Sequence, residues 1–332
     1  MHSFRELLSN FSQPSGAPVI PRPAPESRPT AADARANVAA GRAVLESHRQ
    51  RFDLVSSPIL DLVDSAIVAM QPDLVEPSVK LTGGQLFAER VNLYFHEQDQ
   101  LSPCIGEIFE FYDRVRAHLG RDFDDRILAS LLDLGLRLDA CRDLIMGLDI
   151  RPDRESSRLK LYFLVDESHE ELVTRLWDFG KQSCPGGPHG DALDWLVPTW
   201  TQLFGLDLGF DGTSRLKVYA GAPAFAYPRL RDSLGLDDEA AALVEQAPFC
   251  MLSLLDRPIP LQLLLPGDAV FDLLTSRRAG PMAGRVAETV ERRCRYVLSV
   301  AADQVATGPL DPMNLYYADT RYSGGDTHVL QQ

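Results

Sequence analysis

The sequence predicts an α+β fold in which an antiparallel β-barrel of about ten strands encloses a polar lumen and is wrapped by an outer ring of helices. Two observations support this prediction. Four predicted strands carry basic, amide or phenol side chains on one face and apolar side chains on the other. In addition, a strand hairpin followed by two helices recurs about five times along the chain, and tight hairpins imply antiparallel pairing.

The face pattern of the four strands indicates which side of the barrel is polar. Side chains two positions apart on a strand point the same way. In each strand the alternate positions hold Val, Leu, Phe or Met, which are suited to burial against helices. The polar faces would then line the lumen, and they carry Arg90, Asn92 and Tyr94, Lys160 and Tyr162, Lys217 and Tyr219, and Asn314 and Tyr316.

The chain begins with a Pro-rich segment, and we expect residues 1–31 to be a tail and residues 32–332 to form a single barrel domain. Capping residues and apolar periodicity then predict helices and strands in turn. In the first half we expect helices at 30–50 and 58–70, a strand at 89–95, helices at 103–119 and 124–138, and strands at 144–150 and 159–165.

The second half repeats the pattern. Asp211-Gly212 is a hairpin signal between two strands. We expect helices at 168–181 and 191–204, strands at 206–210 and 215–220, a helix at 237–246, strands at 249–255 and 260–265, helices at 269–275 and 283–304, and a closing strand around Asn314.

Charge and composition exclude several classes of partner. The net charge is −14, so a nucleic-acid surface is not expected, because backbone phosphates require a broad basic field. No run of 18 apolar residues occurs, so no membrane span is expected. Five dispersed cysteines without a Cys-x-x-Cys pair, and no secretory signal at the start, favour a cytoplasmic protein.

Cations and phenols in one lumen suit an allylic diphosphate. Arg and Lys bind diphosphate through charge-assisted hydrogen bonds. Aromatic faces stabilise the carbocation that forms when diphosphate departs, by roughly 0.5–2 kcal/mol each. Glu76, which the sequence places just before the first barrel strand, is a candidate base at the barrel rim. The alternative is an ordinary solvent-facing sheet edge, and taken alone Glu76 could be a surface residue.

Short stretches of the chain, in a fixed order over about residues 70 to 320, resemble the cyanobactin-type peptide prenyltransferases. These enzymes share the ABBA barrel with the soluble aromatic prenyltransferases. The stretches that carry the resemblance are Val75-Glu76-Pro77-Ser78, Ala88-Glu89-Arg90 with Tyr94-Phe95, Gly147-Leu148-Asp149-Ile150-Arg151, Ser156 to Leu161, Gly209-Phe210-Asp211-Gly212 with Tyr219-Ala220, and Asn314-Leu315-Tyr316-Tyr317.

The resemblance implies transfer of a dimethylallyl group from its diphosphate, with Mg²⁺ held through the diphosphate, to a residue of a linear or macrocyclic peptide made by the ribosome. It implies that Glu76 is the catalytic base and that Tyr94 limits the prenyl chain to five carbons. It places Arg90 and Lys160 at diphosphate-binding positions, and Tyr219 and Tyr316 among the tyrosines that shield the cation. The strand pattern adds Tyr162 to these tyrosines, and Lys217 and Asn314 to the diphosphate ligands. Asn314 stands where a basic residue would bind phosphate better, and Lys217 would supply that charge from the neighbouring strand.

Three functions therefore remain open from the sequence. The first is a peptide prenyltransferase, with Tyr, Trp or Arg as the acceptor. The second is an aromatic prenyltransferase of small molecules on the same barrel. The third is a non-enzymatic binding protein for an anionic ligand. The sequence offers no protein ligands for a metal: the acidic segment at Asp122 to Asp125 lacks the Asp-Asp-x-x-Asp spacing of helical isoprenoid synthases.

Overall fold

A computed structural model describes residues 31–96, 98–183, 193–196, 201–247, 250–256, 258–276, 281–292, 294–306 and 309–317. Within them, eleven strands form one antiparallel sheet that closes on itself, with helices around it. The α+β barrel predicted from the sequence is therefore confirmed. The expected tail lies outside the described residues except for its last residue, and the single domain stays a prediction.

The strands, in chain order, are β1 (Leu74–Thr82), β2 (Gln85–Phe87), β3 (Arg90–His96), β4 (Cys141–Asp149), β5 (Arg158–Val165), β6 (Thr201–Gly209), β7 (Arg215–Ala222), β8 (Cys250–Ser253), β9 (Pro260–Pro266), β10 (Arg295–Ala301) and β11 (Met313–Tyr316).

The described α-helices are α1 (Ala31–Arg51), α2 (Pro58–Met70), α3 (Gln98–Leu119), α4 (Arg126–Asp133), α5 (Glu170–Ser183), α6 (Tyr227–Leu234), α7 (Asp238–Gln246), α8 (Gly267–Thr275), α9 (Pro281–Ala287) and α10 (Ala302–Ala306).

Ten strands form the wall of the barrel, because each of β3 to β10 pairs with the next strand in the chain and β1 pairs with both β3 and β11. The first half of β1 is opposite β3, with Glu76 opposite Asn92. The second half is opposite β11, with Lys80 opposite Asn314. The short β2 extends the β1 hairpin beyond β3. Closure removes the free sheet edges that would otherwise be open to pairing with other chains.

The hydrophobic core lies outside the barrel wall, between strands and helices. Outward-facing side chains such as Val91, Leu161, Phe204 and Leu298 are no more than 2% exposed. Helix α2 packs against α1 and α3, with Ile59, Leu60 and Ile67 buried. The apolar faces predicted to point toward helices therefore do so, which leaves the alternate faces for the lumen.

The structure corrects the sequence-based prediction in several places. Residues 295–301 form strand β10, whereas we expected a helix over 283–304. β6 begins at Thr201, so the end of the helix expected over 191–204 is wrong, and most of the rest of that helix lies outside the described residues. The helix expected over 124–138 is shorter, ending at Asp133. β1 and α6 were not predicted as elements.

The β10 error has a simple cause. Tyr296, Leu298 and Val300 alternate with Val297 and Ser299, which is a strand period, but a helical segment at 281–287 precedes them. A single helical period extended from 283 to 304 therefore missed the change from helix to strand.

No helix among the described residues is long and apolar enough to span a membrane.

Candidate active site

A cavity of about 1060 Å³ opens at the end of the barrel where the strand hairpins turn. Gly83 and Gly84 form one of these hairpins, with φ values of 58° and 70°, and their backbone N–H groups donate to the Asp311 carboxylate. The cavity wall includes Arg90, Lys160, Lys217, Tyr219, Asn314 and Tyr316 from the predicted site. The structure thus brings six of the nine predicted site residues to one cavity.

Arg90 is the centre of one group of basic side chains. It is 1% exposed, and Nη1 donates to Asn314 Oδ1 at 2.7 Å. Its Nε lies 3.3 Å from Asp149 Oδ1, and its guanidinium lies 5.7 Å from the centre of the Tyr316 ring. Burial works against the charged guanidinium, but Asp149 and Tyr316 raise the pKa of Arg90, so it stays a cation.

Asp149 gathers further cations. Arg151 Nε lies 2.8 Å from Asp149 Oδ1, and Lys160 Nζ lies 3.7 Å from Oδ2. Burial opposes ionisation of this carboxyl, yet Arg90, Lys160 and Arg151 hold its pKa far below the usual range. Arg151 was not among the predicted site residues. It lies just beyond the end of β4, and no alternation pattern reaches it.

A second group surrounds Asp207, which is 2% exposed. Lys217 Nζ and Arg215 Nη2 each lie 3.0 Å from Asp207 Oδ2. Burial opposes ionisation of Asp207, but these cations and Lys160 push its pKa far below the usual range, and in return Asp207 raises the pKa of Lys217 against the effect of burial. The positive charge of Lys217 is therefore partly neutralised by Asp207, which the strand pattern did not identify as its partner.

Lys160 lies between the two groups. Its side chain is 4% exposed, and its pKa is lowered to about 7, first by burial and next by the neighbouring Arg90. Lys80 also lines the cavity, and its pKa is lowered to about 8 by burial and by Arg151. Within the described part of the chain, Lys80 Nζ makes no hydrogen bond or ion pair. Lys80 was not among the predicted site residues, because β1 was not predicted as a strand.

The predicted base Glu76 lies within β1 and is 8% exposed, so its placement at the barrel rim, before the first strand, is wrong. It faces the lumen, where Oε2 accepts hydrogen bonds from Tyr94 Oη at 2.6 Å and Asn92 Nδ2 at 2.9 Å. Among the described residues, none donates to Oε1. Burial raises the pKa of Glu76, although Tyr94, Asn92 and Lys160 oppose this shift.

Tyrosine rings lie next to the cations. The Tyr162 and Tyr219 rings are 6.0 Å apart and tilted by 51°. Gly205 makes room for both, because a Cβ there would come within 2.7 Å of Tyr162 and 3.2 Å of Tyr219. Glu76, Tyr94 and Tyr162 do not line the open cavity, but they face the lumen on its inner side, away from the hairpins.

Beyond the tyrosines, the inward face of the barrel becomes apolar. Directly paired residues on neighbouring strands point to the same face of the sheet. The apolar residues in this part of the barrel therefore face the lumen, because they pair with one another or with Tyr94, Tyr162, Tyr219 and Tyr316. They are half-buried, whereas their outward neighbours are fully buried. The lumen is thus cationic at its hairpin end and largely apolar further in, with the His96–Asp143 pair on the same face, and its apolar lining there is Ile145, Leu164, Leu203, Met251 and Val297.

Across the residues that the structure describes, no group of three or more His, Cys, Asp or Glu side chains is arranged to hold a metal ion. The lumen carboxylates Asp149 and Asp207 face Arg and Lys side chains instead. The donor chemistry of this lumen therefore suits an anion rather than a divalent cation.

Comparison with known proteins gives a family and a fold. The family model described as "Family of unknown function (DUF5838)" matches residues 42–265. No curated protein matches the sequence. Among solved structures, the chain is similar to 5-dimethylallyltryptophan synthase from Streptomyces coelicolor with a TM-score of 0.53 and 16% identity, over 88% of this chain and 99% of that chain. At this identity the likeness shows the fold, which is the ABBA prenyltransferase barrel.

Proposed function

This chain belongs to DUF5838, a family of unknown function, and we propose that it is a prenyltransferase. The proposed reaction moves a dimethylallyl group from its diphosphate to a nucleophilic Tyr, Trp or Arg side chain of a ribosomally made peptide. The observation that carries the proposal is the lumen itself. Basic side chains, tyrosine rings and an apolar wall follow one another inside one barrel, in the order that the two ends of an allylic diphosphate require.

In the proposed first step, the bond between C1 of the dimethylallyl group and the diphosphate oxygen breaks. The diphosphate leaves with the electron pair, and Arg90, Lys160 and Lys217 bind it. Negative charge builds up on the diphosphate as this bond breaks, so charge-assisted hydrogen bonds stabilise the departing diphosphate more strongly than the intact ester and lower the barrier. Tyr162, Tyr219 and Tyr316 then lie beside the allyl cation and exclude water from it.

In the proposed second step, the nucleophile of the acceptor forms a bond to C1 and its proton passes to Glu76. Oε1 of Glu76 is the oxygen that receives it, because Tyr94 and Asn92 already occupy Oε2. Burial raises the pKa of Glu76 toward the pH at which a carboxylate works well as a base. Tyr94 also fills the lumen beside Glu76, which supports a five-carbon donor.

Two observations bear on the acceptor. The cavity of about 1060 Å³ is at the upper end of the range for small-molecule sites, which supports a bulky acceptor such as a peptide. The similar solved structure, by contrast, is named for tryptophan, which favours a small aromatic molecule as the second candidate. The magnesium ion that the resemblance implies would be held through the diphosphate and not by protein ligands, and no step of the proposal depends on it.

The test uses labelled dimethylallyl diphosphate with three peptides, containing Tyr, Trp or Arg, and with free tryptophan. We expect an acceptor to gain one five-carbon unit, and Glu76→Gln to lower the rate by about 10²–10⁴-fold while diphosphate binding persists. Glu46→Gln is the matched control, because Glu46 lies on the exposed face of α1. Label that reaches no acceptor, with diphosphate bound and never consumed, would identify a binding protein for an anionic ligand.

A further inference from the structure

The cavity is lined by more basic than acidic side chains, and this excess of positive charge bears on which form of the diphosphate it binds. Seven basic and four acidic side chains line it, which leaves an excess of three positive charges when all seven basic groups are protonated, the state that a bound diphosphate favours, in a chain of net charge −14. An allylic diphosphate carries roughly three negative charges at neutral pH. The basic residues are Lys80, Arg90, Arg151, Arg158, Lys160, Arg215 and Lys217, and the acidic ones are Asp149, Asp153, Asp207 and Asp256.

We propose that Asp149 and Asp207, rather than a divalent cation, set the charge of the diphosphate site. This inference rests on the proposed function. The two carboxylates hold the basic side chains in two groups and reduce their net charge to that of one diphosphate. The lumen then binds the diphosphate as a free anion, and both carboxylates are positioning residues that do not touch the reacting atoms.

The contacts of the two carboxylates support this role. Asp149 Oδ1 lies 2.8 Å from Arg151 Nε and 3.3 Å from Arg90 Nε, and Asp207 Oδ2 lies 3.0 Å from Lys217 Nζ. A metal ion at either carboxylate would lie beside at least two fixed cations at low dielectric, where like charges repel strongly. Without the carboxylates, the cations of each group would face one another unscreened.

The other two carboxylates are also engaged. Asp256 Oδ1 is 2.8 Å from Arg215 Nη1, and its Oδ2 accepts a hydrogen bond from Ser253. Asp153 accepts a hydrogen bond from Ser156 Oγ at 2.6 Å. Magnesium that arrived with the diphosphate would reduce the ligand's charge to roughly one negative charge. The positive lumen would attract this less negative ligand less strongly, so magnesium should weaken binding.

The test titrates an unreactive thiolodiphosphate analogue of dimethylallyl diphosphate into the full chain by calorimetry, in EDTA and in Mg²⁺. We expect the Kd in EDTA to be lower than the Kd in Mg²⁺. Asp149→Asn and Asp207→Asn should each bind the analogue roughly tenfold more tightly in EDTA, because one negative charge leaves the site. Asp64→Asn, which removes a carboxylate paired with Arg42 on the outer helices, should leave the Kd unchanged.

The outcomes separate this inference from the proposed function. Binding that requires Mg²⁺ would overturn the inference and leave the prenyltransferase proposal standing. Weaker binding by folded Asp149→Asn and Asp207→Asn proteins would also overturn it. Absence of binding by the wild type in both buffers would contradict both proposals. The wild-type comparison needs no variant, so a folding defect in either Asn variant does not remove the test.

Discussion

At the scale of single residues, Lys160 shows how burial and charge act on one group. The groups that face it are Arg90 and Lys217, which lower its pKa, and Asp149 and Asp207, which raise it. Burial is the largest influence, and the pKa falls to about 7 from an ordinary value near 10.5. The ammonium is therefore titrated near neutral pH in the empty protein, and a bound diphosphate would favour its charged form.

This gives a pH prediction in two parts. Below pH 7 Lys160 is charged both before and after binding, so it contributes no pH dependence to the diphosphate affinity, and above pH 7 its contribution falls because binding must restore a proton. The free energy of unfolding of the empty protein changes in the opposite sense. The unfolded chain holds this proton up to about pH 10.5, so Lys160 destabilises the fold below pH 7, and this cost is relieved as pH rises.

Calorimetric titration and chemical unfolding from pH 6 to 9 would measure both parts. Lys160→Arg is the matched control, because an arginine stays charged over this range. In that variant the dependence centred near pH 7 should disappear, and a weaker one from Lys80, whose pKa is about 8, should remain. An unchanged midpoint near pH 7 in Lys160→Arg would show that another group titrates.

At the scale of elements, two glycines in the barrel wall make room for the site. Gly147 on β4 lies opposite Asn92, and a Cβ at Gly147 would come within 2.3 Å of Asn92 Oδ1. Asn92 in turn donates to Glu76. Gly205 on β6 leaves space for the Tyr162 and Tyr219 rings, which a Cβ at this position would contact too closely. The sequence shows these glycines, but only the strand register shows which side chains need the space.

Gly147→Ala should therefore displace Asn92 and with it Glu76. We expect a loss of stability of about 1–3 kcal/mol from overpacking, and a fall in transfer rate of about a hundredfold from misplacement of the base. Urea unfolding and the transfer assay measure these. Gly284→Ala is the control, because Gly284 is exposed on α9 and a Cβ there meets nothing within 4 Å. Equal rates for both variants would argue against the Asn92–Glu76 contact as part of the machinery.

The strands also show what could be predicted from the sequence. The alternation in β3, β5, β7 and β11 placed four polar faces toward one lumen, and the barrel confirms this. β1 was missed because Pro77 interrupts a pattern that otherwise alternates, with Val75 and Val79 outward and Glu76 inward. Because β1 was not predicted, Lys80 was not recognised as a lumen residue and Glu76 was placed at the barrel rim. The structure shows Glu76 as a buried carboxylate within β1.

At the scale of the whole molecule, closure of the sheet explains why an acidic chain contains a basic site. Pairing of β1 with β11 gathers cations that lie far apart in the sequence, from Lys80 to Lys217, around one cavity. Local sequence patterns cannot show which carboxylates pair with these cations. The register of strands β4 to β7 is what places Asp149 and Asp207 beside basic side chains of neighbouring strands. The grouping of these basic and acidic side chains around one cavity is therefore a property of the closed barrel.

The most direct test of the central claim is the Kd of the unreactive dimethylallyl diphosphate analogue for the wild type and for Arg90→Met. If the lumen is a diphosphate site, Arg90→Met should weaken binding roughly 10- to 100-fold, with Lys160→Met as a second lumen variant. Arg42→Met, which alters a cation on the outer helices, should bind as the wild type does. Equal affinities for the wild type, the two lumen variants and Arg42→Met would contradict the account.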